Sequence, residues 1–225
     1  MTRPTLYLGN RTYSSWSMRP WFALKYAGFE FDEIDIDLDS DGYGQAQVQS
    51  VLAVSPTGRV PALHCGDLEI WDSLAICEWA NEQAPHRNLW PKEPDDRALA
   101  RAVVCEMHSG FPEIRTHLTC NIRRRVNEQV WSQATLLEIK RLDEIWSGLL
   151  VKFGGPYLFG KEPTIADAFY IPMATRMRTY SVSISATAAK YRDFILSTPE
   201  FLEWEQAAAK QWKPFTRAAH DTVYD

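Results

Sequence analysis

"SPTGRVPALHCGDLEIWDSLAICEWANEQ", Ser55 to Gln83, changes its hydrophobic period within a few residues. Two short apolar runs, VPALHC and LEIW, flank Gly66-Asp67 and predict a β-hairpin. Asp72-Ser73 then opens a segment with helical spacing that runs to about Glu82. Pro61 stands at the mouth of the first strand. A proline there cannot donate to the ladder, so it marks an edge or the start of a strand.

Upstream, TLYLG (Thr5 to Gly9) predicts a buried strand, and Ser14 to Ala27 a helix with Gly28 at its C-terminal cap. FEFDEIDIDLD, Phe29 to Asp39, alternates apolar and acidic residues, the pattern of a half-buried strand. The order β-α-β, then β-β-α, predicts a small sheet with helices packed on it. Downstream, Ala84 to Asp96 carries three prolines and interrupts every pattern. Beyond it nothing reads as a strand. A helix is expected from Asp95 to about Cys120, with Val104, His108, Phe111 and Arg115 on one face. A second passes through Leu142, Ile145, Trp146, Leu149 and Phe153 to the stop at Gly154-Gly155-Pro156. Thr164 to Asp167 has the form of a capping box, and two shorter helices follow, the last opening at Pro199. The predicted organisation is an α/β domain over residues 1–84, a linker over 85–94 and an all-helical domain over 95–225.

With 225 residues, 45% of them hydrophobic, the chain can bury a sizeable core. The net charge of -5 argues against a general binder of nucleic acid or anionic membrane, and no apolar run approaches a membrane span. Cys65, Cys77, Cys105 and Cys120 form no CxxC and read as thiols in a reducing cytoplasm. His64, His86, His108, His117 and His220 form no metal-ligand pair, so no metal is expected. The D-x-D-x-D-G run at Asp37–Gly42 lacks the acidic closing residue of a calcium loop, since Val48 stands there. Arg123-Arg124-Arg125 reads as a solvated helix end.

Three short segments carry possible chemistry, and each has a plain alternative. Val60-Pro61 either shapes a turn or, as a cis bond, turns the backbone of Val60 outward to pair with an extended peptide. Asp72-Ser73 either caps a helix or adds to that cap a site for a ligand end carrying both a carboxylate and an ammonium. In NRTYSSWSMRPW (Asn10 to Trp21), Ser14 and Ser15 open a helix directly after a strand. They have no G-x-S-x-G elbow and no histidine placed by sequence as a base. They read either as a plain cap or as hydroxyl donors at a positive helix end, suited to holding a thiolate.

In this order and on this fold, the three segments resemble the cytosolic glutathione transferases, to about residue 210. The resemblance implies a thioredoxin-like N-terminal domain, an all-helical C-terminal domain, glutathione as co-substrate and a homodimer. It implies that Val60, before a cis Pro61, pairs with the cysteinyl backbone of glutathione. Asp72 and Ser73 would hold the γ-glutamyl end, with Arg59 and Gln47 near the glycyl carboxylate. Ser14, five residues before Arg19, matches the catalytic serine of the serine-type classes, with Ser15 its close alternate. YSSWSMRPW is most similar to the zeta class, with Trp16 where that class has a cysteine and Asp72 where it has a glutamine. Tyr13, Trp16, Met107, His108, Phe111 and Arg115 are candidates to line a pocket for a small electrophile. The expected activity is a serine-type glutathione transferase. The alternatives are a zeta-like glutathione-dependent cis-trans isomerase and a non-catalytic member that binds glutathione or protein.

Overall fold

The computed structural model describes residues 2–36 and 49–211, so Gln47 and the Asp37–Gly42 run lie outside the described residues. β1 (Thr5–Leu8) pairs in parallel with β2 (Asp32–Asp35), a geometry that requires a crossover, and α1 (Ser15–Ala27) supplies it. β1 also pairs antiparallel with β3 (Ala62–Cys65), which forms the expected hairpin with β4 (Leu68–Trp71). The sheet order is β2-β1-β3-β4. α1 stops where expected, because Gly28 takes a left-handed φ of 77° and its N–H returns to Lys25 O at 2.9 Å.

The register fixes what meets at one edge of the sheet. Tyr7 lies opposite Ala62, and Ala62 opposite Trp71. The segment after β1, the Val60-Pro61 turn before β3 and Asp72 after β4 therefore share that edge. α1 and α3 (Ser73–Gln83) both begin there, bringing two helix N-termini together.

β2 departs from the alternation read from the sequence. Ile34 faces outward, 43% exposed, while Glu33 turns inward. Glu33 accepts from Trp21 Nε1 at 2.9 Å and pairs with the buried Arg11 at 2.6 Å. Its sheet partner is the fully buried Leu6, so the register assigns the acidic residue, and not the isoleucine, to the α1 face.

The rest is helical: a 3-10 turn (Pro85–Arg87), α4 (Pro94–Ser109), α5 (Pro112–His117), α6 (Gln133–Phe153), α7 (Ile165–Thr179), α8 (Ala186–Ile195) and α9 (Pro199–Lys210), with α2 (Gln49–Leu52) back beside the sheet. The single helix expected from Asp95 to Cys120 is two. Gly110 bonds Glu106 O at 2.8 Å, Phe111 takes a left-handed φ of 60°, and Pro112 has no N–H to continue the ladder. Arg115 folds back over this break. Its Nε donates to Gly110 O at 2.8 Å and its Nη2 to Met107 O, satisfying carbonyls that α4 leaves open.

α1 packs against α3 on one side and α7 on the other, joining sheet and bundle. Every residue of α7 except Arg178 is buried, as befits a helix at the centre of a core. Asp167 anchors its start as the capping box predicts. Oδ2 accepts from Thr164 N at 2.8 Å and Thr164 Oγ1 at 2.9 Å; Oδ1 accepts from Leu158 N at 2.9 Å and Tyr191 Oη at 3.1 Å. Among the described residues no helix is long and apolar enough to cross a membrane.

Candidate functional site

The two serines at the start of α1 are not equivalent. Ser14 is the N-cap: its Oγ accepts from Ser17 N at 3.3 Å and donates to Ser17 Oγ at 2.8 Å, which in turn accepts from Gly9 N at 2.9 Å. Its proton is directed into the protein. Ser15 is the first helical residue, and its Oγ accepts from Arg176 Nη2 at 3.5 Å. No acceptor among the described residues takes the Ser15 proton. With no acidic residue in the first turn, the positive end of the α1 dipole stays uncancelled there.

Across the sheet edge the Val60-Pro61 bond is cis. Val60 is buried and Arg59 exposed. Asp72 is held at φ 80°, a backbone region that non-glycine residues enter at a cost and that clusters at binding sites. Its Oδ1 accepts from Leu74 N at 2.8 Å and Ala75 N at 3.4 Å, capping α3. Oδ2 faces His108 Nε2 at 3.4 Å. Ser73 beside it is 1% exposed, and its hydroxyl has no hydrogen-bond partner. A buried hydroxyl left so is uncommon, and at a helix N-terminus it suits an anionic ligand group.

Cations from α1 and from the helical half gather behind this edge. Arg19, fully buried in α1, lies over the Trp16 ring at 3.9 Å and the Phe169 ring at 4.9 Å. None of its three nitrogens has a hydrogen-bond partner. Burial, followed by the charges of Arg115 and Arg176, pulls its guanidinium down to about 9. Arg115 lies over Trp16 at 5.2 Å, and burial, then Arg176, lowers its guanidinium as well. Arg176 is buried and donates to Leu118 O and Ser15 Oγ. His108 meets the Trp16 ring edge-on at 5.4 Å. Burial lowers its imidazole against the opposing pull of Asp72. Arg115 and Arg176 thus act on Arg19 as like charges, and Asp72 opposes them only weakly, an imbalance at Arg19 that an incoming anion relieves.

Ser14, Ser15, Trp16, Asp72, Ser73, His108 and Arg115 are gathered at this end of the molecule. Tyr13 is half-buried beside them in sequence. Met107 and Phe111, 1% and 5% exposed, sit in the hydrophobic core. Trp16, 37% exposed, is the aromatic surface at the mouth. In the sequence Arg19 stands out only as a motif landmark, and Ser17, Phe169 and Arg176 belong to no motif. Arg176 carried one local signal, a cation in the last turn of a mostly apolar helix.

Residues 13–83 match the family model for the glutathione S-transferase N-terminal domain, and residues 129–213 the model for its C-terminal domain. The chain belongs to the glutathione S-transferase family. A maleylacetoacetate isomerase of Mus musculus is 29% identical over 184 residues, spanning 81% of this chain and 82% of the relative. Glutathione S-transferase 1 of Dianthus caryophyllus is 28% identical over 171 residues, 74% of each chain. The crystal structure of a Burkholderia glutathione transferase homologue with bound glutathione superposes with a TM-score of 0.68 at 23% identity, covering 93% of this chain and 99% of that one. The glutathione transferase fold is therefore shared over nearly the whole chain. Glutathione is the family's co-substrate. The orphan hydroxyl of Ser73, the α3 N-terminus and the second oxygen of Asp72 suit a ligand end bearing a carboxylate and an ammonium.

Proposed function

We propose that this glutathione transferase acts on a small electrophile carrying one or more carboxylates, with Ser15 as the hydroxyl that holds the glutathione thiolate. The observation that carries the reading is the juxtaposition of Ser15 and Arg176 beside Arg19, a buried guanidinium with no partner. Val60, with its backbone turned by the cis Pro61, takes the cysteinyl backbone, and Asp72 and Ser73 take the γ-glutamyl end. Arg59 and Gln47 are the candidates for the glycyl carboxylate. Ser15 donates to the sulfur while Arg176 supports the hydroxyl from behind, and the α1 dipole adds positive potential. Ser14 preserves this helix start as its cap. Glutathione supplies the sulfur nucleophile; Arg19, Arg115 and Trp16 orient the acid group and planar body of the electrophile. Met107 and Phe111 back that pocket from the core.

The same arginines favour a second reading, a cis-trans isomerase for an unsaturated diacid that returns glutathione unchanged. The similarity to a maleylacetoacetate isomerase supports it. Trp16, in place of the motif cysteine, and Asp72, in place of the glutamine, keep the transferase first. The reading includes a homodimer in a reducing cytoplasm, supported by four unpaired cysteines and by Leu68 and Trp71 left half-exposed on the edge strand β4.

An ultraviolet titration of bound glutathione tests the thiolate claim. In the wild type the thiol should ionise well below the free value of about 8.5, and Ser15→Ala should return it towards that value. An unchanged thiol in Ser15→Ala would overturn the assignment. Assays pairing carboxylated and neutral electrophiles, with product identified by mass, separate conjugation from isomerisation.

A further inference from the structure

We infer that His108 is a positioning residue for the co-substrate: it stands against the free oxygen of Asp72 and holds that carboxylate ready for the ammonium of glutathione. The inference rests on the reading that Asp72 takes the γ-glutamyl end. Asp72 spends Oδ1 on the first turn of α3, so Oδ2 is the oxygen left for a ligand. His108 Nε2 lies 3.4 Å from that oxygen, the side-chain nitrogen that faces it. Nδ1 of the same ring is buried without a partner. A proton on Nδ1 would bury an unpaired donor, so the ring is fitted to carry its proton on Nε2, facing Asp72, and to stay neutral.

The surroundings favour the same state. The groups facing His108 are Asp72 from α3, Arg19 and Trp16 from α1, Arg115 from α5 and Phe169 from α7. Burial and two guanidinium groups oppose a third positive charge on the ring; Asp72 alone favours it. A neutral His108 leaves Asp72 its full negative charge for an ammonium. A protonated one would cancel that charge. Because His108 belongs to α4 and touches Trp16, it also ties the glutathione end of the site to the wall of the electrophile pocket.

Equilibrium binding to the intact protein tests this, using glutathione and its analogue lacking the γ-glutamyl amino group. His108→Ala should weaken glutathione by about fivefold, the usual worth of one hydrogen bond, and leave the amino-less analogue unchanged. His108→Gln, whose amide also donates but does not titrate, should retain wild-type affinity near neutrality. It should also abolish the loss of glutathione affinity expected of the wild type as the pH falls below the ordinary imidazole value of about 6.5, since burial holds His108 below that value. Asp72→Asn is the control for the underlying reading. Weakening by Asp72→Asn with no effect of His108→Ala would overturn the positioning role alone. No effect of Asp72→Asn would overturn the γ-glutamyl assignment and the inference with it. Equal weakening of both ligands by His108→Ala would show a merely structural role, also overturning it.

Discussion

Arg176 Nη2 lies 3.5 Å from Ser15 Oγ, although the two residues are 161 positions apart in the chain. The guanidinium serves two partners, since Nη1 donates to Leu118 O. A planar fork can satisfy both at once, whereas a lysine ammonium cannot reach both from its single nitrogen. Arg176→Lys should therefore lower kcat/KM by about tenfold or more while leaving glutathione affinity nearly unchanged, because the contact acts at the sulfur end of the site. Combined with Ser15→Ala, the losses should fall short of additive, as for two groups in one network. Steady-state kinetics on the four proteins of that cycle would check it; full additivity would separate the two residues.

Ser14 should respond in the opposite way. Its hydroxyl caps α1 through Ser17 N and bonds Ser17 Oγ, which itself holds Gly9 N. Ser14→Ala removes the cap and should cost about 1 kcal/mol, a fall in Tm of about 2–4 °C for a chain of this size. The bound thiol should stay acidic. Thermal melts beside the thiolate titration would separate this pattern from that of Ser15→Ala, and a thiol released only by Ser14→Ala would reverse the two roles.

Arg19 sets stability against binding. Its charge is buried with no hydrogen-bond partner, and two other arginines repel it. An uncompensated buried charge destabilises the fold, and an apolar side chain of similar length removes that penalty. Arg19→Met preserves packing between Trp16 and Phe169, so the free variant should melt at the wild-type temperature or above. The wild type should gain about 5–10 °C in Tm from a dicarboxylate at a hundredfold excess over its Kd, and the variant should gain little. Calorimetry with and without the diacid gives both quantities; a free variant that melts markedly lower would mean that Arg19 stabilises the fold.

The sheet edge was legible because its signals are local. Val60-Pro61, Gly66-Asp67 and Asp72-Ser73 each dictate backbone shape within a few residues, and the hairpin formed where they placed it. Gly110-Phe111-Pro112 is an equally local stop, but the apolar spacing on either side of it continues in helical phase and masks it. In β2 the phase of the pattern slips between Phe31 and Ile34, and only the pairing of Leu6 with Glu33 reveals which side faces α1. The arginines were legible one by one at most, Arg115 as a pocket candidate and Arg19 as a motif residue, but their clustering was not. Arg19, Arg115 and Arg176 come from three helices whose meeting depends on how α1 packs against α7, which no window of sequence contains.

Asp167 bears on that packing. Its two oxygens hold Leu158 N, Thr164 N, Thr164 Oγ1 and Tyr191 Oη, all in the interior. Burial pushes the carboxyl up while these four bonds pull it down, so the site tolerates the acid only because it is fully bonded. Asp167→Ala strands two backbone donors and the Tyr191 hydroxyl and should cost about 3 kcal/mol or more. Asp167→Asn retains an acceptor oxygen but turns its amide NH2, a donor, towards other donors, and should recover only part of the loss. Because α7 also carries Arg176 and Phe169, activity should decay on warming in step with the melt and remain near normal in the cold. Denaturant midpoints paired with assays at two temperatures would decide this. Activity lost in the cold from a fully folded Asp167→Ala would place Asp167 in the chemistry and not in the scaffold.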